Sequence, residues 1–470
     1  MLFNSFKFWL IFPFIFGIYW AIPAKYNEWR KRFMIIVSYV LYMNWKPAYA
    51  LVLLAVTVTT YFGGRLFDRQ NDSIRKKNLL VWLFALIALF PLLVFKYYNF
   101  INNSITDILA SVGLDFSLPG LNWMIPVGIS FFSFQAVGYM LDVYHGRIRA
   151  EKCMTDYLLF VSFFPQIASG PISKADELLP QIKKVRCFNY SQAVLGLKYL
   201  LWGLFLKVVL ADRTGLYVDT VFGSYDKFSG AGCVLASVLY SIQIYADFAG
   251  YSLLAIGIAK TLGFDLINNF KRPYFATSVT EFWKRWHISL TRWLTQQVYI
   301  PLGGSRCSKP RTYRNILLTF LVSGIWHGAN WTFVVWGILH GVFQIIEKTL
   351  GWNKKASNGI VKAIRIAFTF AIVTVLWVVF RSPSIGDAIG MMGRYFSTNG
   401  KIIADFQTLF QICIALIPLL LFEIGKECFP GFYDRVKSHT VVRWVVYMIL
   451  FAMIVLIGVH DGSSFIYVSF

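Results

Sequence analysis

Carboxylates are scarce in this chain: 23 Asp and Glu stand against 45 Lys and Arg over 470 residues, a formal net charge of +22. Charge of either sign is thin as well, at 14%, while 57% of the residues are apolar and the mean hydropathy is +0.58. So little charge on so apolar a chain excludes an ordinary soluble domain. The bases fall mostly between apolar runs, as the positive-inside rule requires, and this placement excludes nucleic acid as the expected partner. Cysteine occurs at Cys153, Cys187, Cys233, Cys307, Cys413 and Cys428. That spacing makes no CxxC, so neither a disulfide framework nor a cysteine zinc site is indicated. HExxH is absent and no metal is expected. No GxSxG elbow supplies a serine nucleophile, and the lack of an internal repeat weighs against a transporter built on duplicated halves. The first apolar run lacks a basic leader and a small-residue cleavage site, so it is expected to remain as a span with the amino terminus outside.

What the chain has in abundance is apolar runs. A hydrocarbon layer of about 30 Å takes roughly 20 apolar residues per helix. The runs here predict an all-α, polytopic helical membrane protein of roughly eleven to thirteen membrane segments, re-entrant pieces included. The expected outline is one domain over 1–470, with amino-terminal helices over 1–122, a core over 123–350 and carboxy-terminal helices over 351–470. The core carries a basic cytoplasmic loop at 260–314. Near the start, a hairpin of 33–45 and 48–63 turns at Pro47, which breaks a helix. Residues 78–99 cross, and 100–121, with two aspartates and no base, read as an outer loop. Between 154 and 172, Pro165, Gly170 and Pro171 predict a re-entrant or broken helix. Such backbone is tolerated at membrane depth only when buried in protein or lining a wet cavity. Residues 173–190 read as an amphipathic piece at the inner interface. Later crossings are expected at 191–211, 231–260, 366–380, 403–422 and 444–459, leaving the tail DGSSFIYVSF outside.

The densest chemistry lies between Glu281 and Gly341. There EFWKRWHISLTRWL leads through the basic loop into ILLTFLVSGIWHGANWTFVVWGILHG, which sets His327 between Trp326 and Gly328. An ionisable side chain within an apolar run is costly and marks a functional site by default. On the residues alone, His327 reads either as a reactive imidazole or as a structural histidine bonded to a carbonyl at a helix break. His287 reads as a second reactive group or as an interfacial residue among Trp283, Trp286 and Trp293. Asp247, in YADFAGYS, reads as a catalytic carboxylate or as the partner of a buried base. The basic loop satisfies the positive-inside rule, and some of its bases are candidates for attracting phosphates. His340 follows His327 by thirteen residues across a turn, which argues against a shared metal site.

Four stretches together carry a resemblance: VGISFFSFQAVGYMLDVYHG, FVSFFPQIASGPI, the block from YADFAGYS to VYIPLGGSR, and LVSGIWHGANW. They resemble the membrane-bound O-acyltransferase family, and within it the bacterial alginate O-acetylation branch. The likeness spans most of the chain and is most specific over 245–341. It implies acyl transfer from a cytoplasmic thioester to an acceptor reached from the other face. His327 matches the family's principal active-site histidine and His287 its second signature position. The FYxDWWN run of sterol and diacylglycerol acyltransferases is absent, which points away from a neutral-lipid acceptor. The ending FIYVSF differs from the FIYFQF of the alginate branch.

The chemistry agrees with that resemblance. Transfer to a hydroxyl needs a base, a slot for the thioester and donors for the charge that builds on the carbonyl oxygen. Imidazole, with an ordinary pKa near 6.5, suits the first task, and burial keeps it neutral. Trp326, Trp331 and Gly328 are expected to shape a dry slot, and Asn330 to hydrogen-bond the imidazole or a substrate oxygen. Trp286 and Asp247 complete the candidate substrate-binding set. The expectation is a multi-pass inner-membrane O-acyltransferase, an acetyltransferase, with a funnel from each face meeting at His327. Acetyl-coenzyme A or another acyl thioester is the expected donor, with no permanently bound cofactor. The expected acceptor is a hydroxyl of an exported polysaccharide, reached directly or through an extracytoplasmic partner protein. Direct transfer is favoured over an acyl-enzyme. Alternatives are peptidoglycan O-acetylation, teichoic-acid D-alanylation and, in another class, a transporter without chemistry.

Overall fold

The computed structural model describes residues 3–69, 74–115, 117–168, 170–352 and 358–459. The expected placement of the tail DGSSFIYVSF lies outside the described residues. Among the described residues the regular elements are helical, apart from an isolated bridge between Phe228 and Lys401. Contacts divide the chain into two units: Phe3–Gly196 with Ala255–Ile267, and Leu197–Leu254 with Asn268 onward.

The first unit opens with α1 (Phe6–Ala21), whose first turn is capped by the Ser5 hydroxyl accepting from the Phe8 N–H. A bend of 102° separates this apolar helix from the segment containing α2 (Asn27–Met43). The Pro47 turn follows, where the sequence places it, and leads into α3 (Tyr49–Arg69). Next, α4 (Ile74–Leu92) passes through a π-type turn at Leu93–Tyr97 into α5 (Tyr98–Ser111). Pro91 sits just before that turn. Proline has no N–H for the helical ladder, and a widened turn absorbs the interruption. The stretch read as an outer loop is therefore helical to Ser111, because no proline or glycine between 98 and 111 stops it. α6 (Ile129–Tyr144) is buried along most of its length.

The broken helix expected after residue 154 is present, as α7 (Met154–Ser162) and α8 (Phe164–Ile167) around an extended Phe163. Its freed backbone groups are satisfied internally. The Phe164 N–H donates to Ser38 Oγ at 3.1 Å, and the Phe160 carbonyl accepts from the Gln135 and Gln166 amides at 2.6 and 3.1 Å. Buried irregular backbone requires such partners. α9 (Ala175–Lys183) is amphipathic as expected, burying Leu178, Leu179 and Ile182.

The second unit begins within α10 (Tyr190–Leu204), continues through a π-type turn at Phe205–Ala211 into α11 (Asp212–Phe222), and includes α12 (Gly230–Thr261) as far as Leu254. A Cβ on Gly203 would stand 2.8 Å from the Gly250 carbonyl oxygen, so α10 and α12 touch backbone to backbone there. Two short helices follow, α13 (Val279–Arg285) and α14 (Ile288–Leu294). They precede the pair α15 (Lys309–His327) and α16 (Trp331–Thr349). The unit ends with α17 (Gly359–Arg381), α18 (Ile385–Arg394), α19 (Phe406–Cys428), α20 (Pro430–Ser438) and α21 (Thr440–Ile457).

Among the described residues, seven helical runs are long and apolar enough to cross a membrane, or eight if the bent pair at the start is one span. This makes the chain a multi-pass membrane protein. The number is below the eleven to thirteen segments read from apolar runs because α6 has only 16 residues and α15 starts with three bases. The α16 run is interrupted by His340, Gln344 and Glu347. α15 and α16 pack through small residues: a Cβ on Gly337 would lie 2.4 Å from the Phe320 carbonyl oxygen and 3.1 Å from the Gly324 Cα. Gly337→Val is therefore expected to force this pair apart and to cost about 1–3 kcal/mol. Thermal unfolding of the detergent-solubilised protein measures it, and an unchanged midpoint would contradict the close contact.

Candidate active site

Three histidines of the second unit meet in one aromatic cluster. His327 is the last residue of α15, where the helix gives way to an extended Gly328. Its ring is 2% exposed and stands nearly perpendicular to those of Trp326, Trp336 and Phe380, with centroids 4.9, 5.0 and 5.3 Å away. Edge-to-face packing of this kind is the favoured aromatic geometry. The Trp326 ring also meets that of His287 at 5.7 Å, and His287 packs against Phe248 at 4.6 Å. Trp336 is shared in the same way, with His340 4.7 Å from it.

His287 joins α13 to α14 with φ +42°, one of two non-glycine residues with positive φ among the described residues. A β-carbon makes that conformation costly, and it persists only where the surroundings hold it. Asn269 does the holding: its carbonyl accepts from the Ile288 N–H at 3.0 Å and its Oδ1 from the Ser289 N–H at 3.1 Å. His287 lies outside the membrane-spanning helices and is fully buried, which pushes its pKa down to about 3 and leaves the ring neutral. Glu347, near the end of α16, clamps the start of α13 by accepting from the N–H groups of Val279 and Thr280. Ser278 caps the same end through the Glu281 N–H. Both ends of the His287 segment are thus tied to fixed backbone.

Trp286 lies beside His287 as the sequence requires, but in an adjoining cluster. It stacks on Phe282 at 5.4 Å and meets Phe270 and Trp377 at 4.9 and 5.0 Å. Asn330 is engaged elsewhere. Its Oδ1 caps α16 by accepting from the Thr332 N–H at 3.0 Å, and its amide donates to the Pro383 carbonyl at 2.8 Å. The expected bond from this side chain to the imidazole is replaced by a helix cap, a role that asparagine fills well. Trp331 is 53% exposed.

Asp247 takes the second of its two readings, the partner of a buried base. Lys207 Nζ lies 2.6 Å from Asp247 Oδ1 and 2.6 Å from Asp212 Oδ1, and the lysine and Asp247 are each 1% exposed. The glycine contact between α10 and α12 brings Lys207 to this position. In the basic loop, Arg272 and Arg285 are likewise spent on carboxylates: Arg272 pairs with Glu427 at 2.6 Å, and Arg285 with Glu281 and Glu427 at 2.7 and 3.2 Å. Lys271, Lys284, Lys309 and Arg311 remain exposed.

His340, which the sequence reading considered only as a metal ligand, is fully buried and accepts from the Trp283 indole N–H through Nδ1 at 3.2 Å. An indole nitrogen only donates, so the His340 proton resides on Nε2. His340, Lys207 and Glu347 share a signal that was legible in the chain, an ionisable residue within an apolar run. Asn269 carries no such signal. The ion triad leads to an expected outcome: Lys207→Met strands Asp212 and Asp247 and costs about 3–5 kcal/mol, part of which Asp247→Asn on the same background restores. Unfolding midpoints of the single and double variants check this, and a double variant less stable than the single would contradict it.

Comparison with known proteins places this geometry in context. The profile of the MBOAT, membrane-bound O-acyltransferase family, matches residues 37–382. A protein of Azotobacter vinelandii described as "Probable alginate O-acetylase AlgI" is 34% identical, over 90% of this chain and 83% of its own length. One of the same description from Pseudomonas syringae pv. tomato is 37% identical, over 84% and 75%. The peptidoglycan O-acetyltransferase of Helicobacter pylori is 33% identical, over 90% and 81%.

Proposed function

The chain belongs to the membrane-bound O-acyltransferase family and is a multi-pass membrane acyltransferase, and on that footing we propose that it is an O-acetyltransferase acting on an exported polysaccharide. The donor in this reading is acetyl-coenzyme A on the cytoplasmic side of an inner membrane. The acceptor is a sugar hydroxyl, reached directly or through an extracytoplasmic protein that passes the acetyl group on. Family membership also sets aside a transporter without chemistry. The observation that carries the site is the His327 ring at the α15 terminus, packed against Trp326, with His287 in contact with the same indole.

In the proposed reaction a neutral His327 accepts the proton of the acceptor hydroxyl as its oxygen attacks the thioester carbonyl. The carbon–sulfur bond then breaks, the thiolate takes the proton from the imidazolium, and an ester and a free thiol leave. His287 is the second functional imidazole, in a supporting or donor-orienting role, fixed by its braced backbone. Trp326 is the wall that both rings share. Because His327 is 2% exposed and His287 fully buried, entry of substrates requires the rings around them to part.

A second reading, transfer to peptidoglycan, is favoured by the H. pylori relative. Purified protein supplied with acetyl-coenzyme A and either alginate-type polymer or peptidoglycan fragments distinguishes the acceptors. In either case His327→Ala is expected to lower thioester consumption about 10²- to 10⁴-fold, the usual contribution of a general base. His287→Ala should lose less. Asn330→Ala should destabilise the fold by about 1 kcal/mol and retain turnover. A folded His327→Ala protein with undiminished acetyl transfer would sink the assignment.

A further inference from the structure

The first unit contains a basic cleft that takes no part in the chemistry proposed above. It is open to solvent, and its lining residues include Arg30, Lys31, Lys184 and Arg186 but no Asp or Glu. Arg30 is 4% exposed at its floor. Its guanidinium donates to the Ile22 carbonyl through Nε and to the Arg186 carbonyl at 2.6 Å, and lies over the Tyr19 and Trp20 rings at 5.4 and 5.2 Å. Arg186 donates to the carbonyls of Gln181 and Gly263 and stacks on Phe264 at 4.2 Å. Both guanidinium groups are therefore anchored by neutral carbonyls and aromatic faces, which hold a cation in place without cancelling its charge.

Lys31 is neutralised by Asp156 and Glu28 at 2.6 and 2.7 Å, and Asp265 pairs with Lys260. These three carboxylates face five bases, so the cleft keeps a positive surplus centred on Arg30, Arg186 and the exposed Lys184. Three N–H groups of Arg30 and three of Arg186 are committed to backbone carbonyls, and the N–H groups that each guanidinium keeps beyond these are charged donors that suit a phosphate. The cleft also lies by the 102° bend between the apolar α1 and the Ala24–Met43 segment, whose Tyr26 and Trp29 are 48% and 61% exposed. Half-exposed aromatic rings flanked by bases are the signature of headgroup depth. We propose that this cleft binds the phosphate of an anionic phospholipid headgroup, with Arg30 and Arg186 fixing the phosphate and Lys184 closing the rim. A soluble phosphate ester offers the same chemistry, but an apolar helix and an aromatic belt at the mouth favour a lipid.

The test uses the full-length protein in nanodiscs of pure phosphatidylcholine or of an equimolar phosphatidylcholine–phosphatidylglycerol mixture, with bound lipid counted by native mass spectrometry after release. Phosphatidylglycerol is expected to be retained in preference to phosphatidylcholine. Lys184→Gln, a change at an exposed position, should lower that preference about fivefold, the effect expected of one base near a charged lipid surface. Lys362→Gln, an equal charge change on α17, should leave it intact. Arg186→Lys keeps the charge but loses the fork and should also weaken retention. Equal retention of the two lipids, or a preference untouched by both cleft variants, overturns the proposal. So does thermal stabilisation by inorganic phosphate or adenosine 3′,5′-bisphosphate where phosphatidylglycerol gives none, since that outcome assigns the cleft to a soluble phosphate.

Discussion

An imidazole at the end of a helix, enclosed by aromatic rings set edge to face against it, is the constraint that the second unit serves. His327 can occupy such a place only because α15 stops there and because the backbones of α15 and α16 approach at Gly324 and Gly337, which brings Trp336 against the ring. The indoles perform two tasks in this arrangement. They bury His287, which keeps that ring uncharged, and they fix the relative placement of three histidines drawn from three separate elements. Trp326 contacts both His327 and His287, and Trp336 both His327 and His340. A base that is dry and oriented before substrate arrives reorganises little during transfer.

Charge within the apolar helices follows a different rule. Lys207 between Asp212 and Asp247 compensates locally what hydrocarbon cannot solvate. Burying such ions is costly, and the interaction is weak evidence for net stability. What the triad does is hold α10, α11 and α12 in one register. Phe248, the ring partner of His287, is the residue after Asp247, so that register also sets one wall of the site. The basic loop is held in a similar manner by Glu427, which engages both Arg272 and Arg285.

Much of this was legible in the chain. His327 and His287 stood out as ionisable groups beside tryptophan, and the run FVSFFPQIASGPI announced a broken helix through its prolines and glycine. The family likeness was carried by local motifs, which sequence displays directly. Partnership was harder to read, because it depends on which distant residue the fold brings near. Asp247 admitted two roles until Lys207 was found 40 residues upstream. Asn330 had the chemistry to bond an imidazole and equally to cap a helix, and the extended backbone at its position decided for the cap. The eleven to thirteen segments read from apolar runs include re-entrant pieces, and fewer helices among the described residues are long and apolar enough to cross alone, because a run can be apolar and still be short or interrupted by ions. His340 was passed over because no metal motif surrounded it, although its burial and its bond from Trp283 make it part of the same cluster.

The central claim is that one buried ring, His327, carries the proton during acyl transfer. Carbethoxylation by diethyl pyrocarbonate, followed residue by residue with peptide mass spectrometry while acetyl-thioester turnover is recorded, addresses it directly. Turnover should fall in step with modification of His327, slowly in keeping with its burial, and saturating donor should slow both together. Full turnover by protein whose His327 is already carbethoxylated would contradict the account.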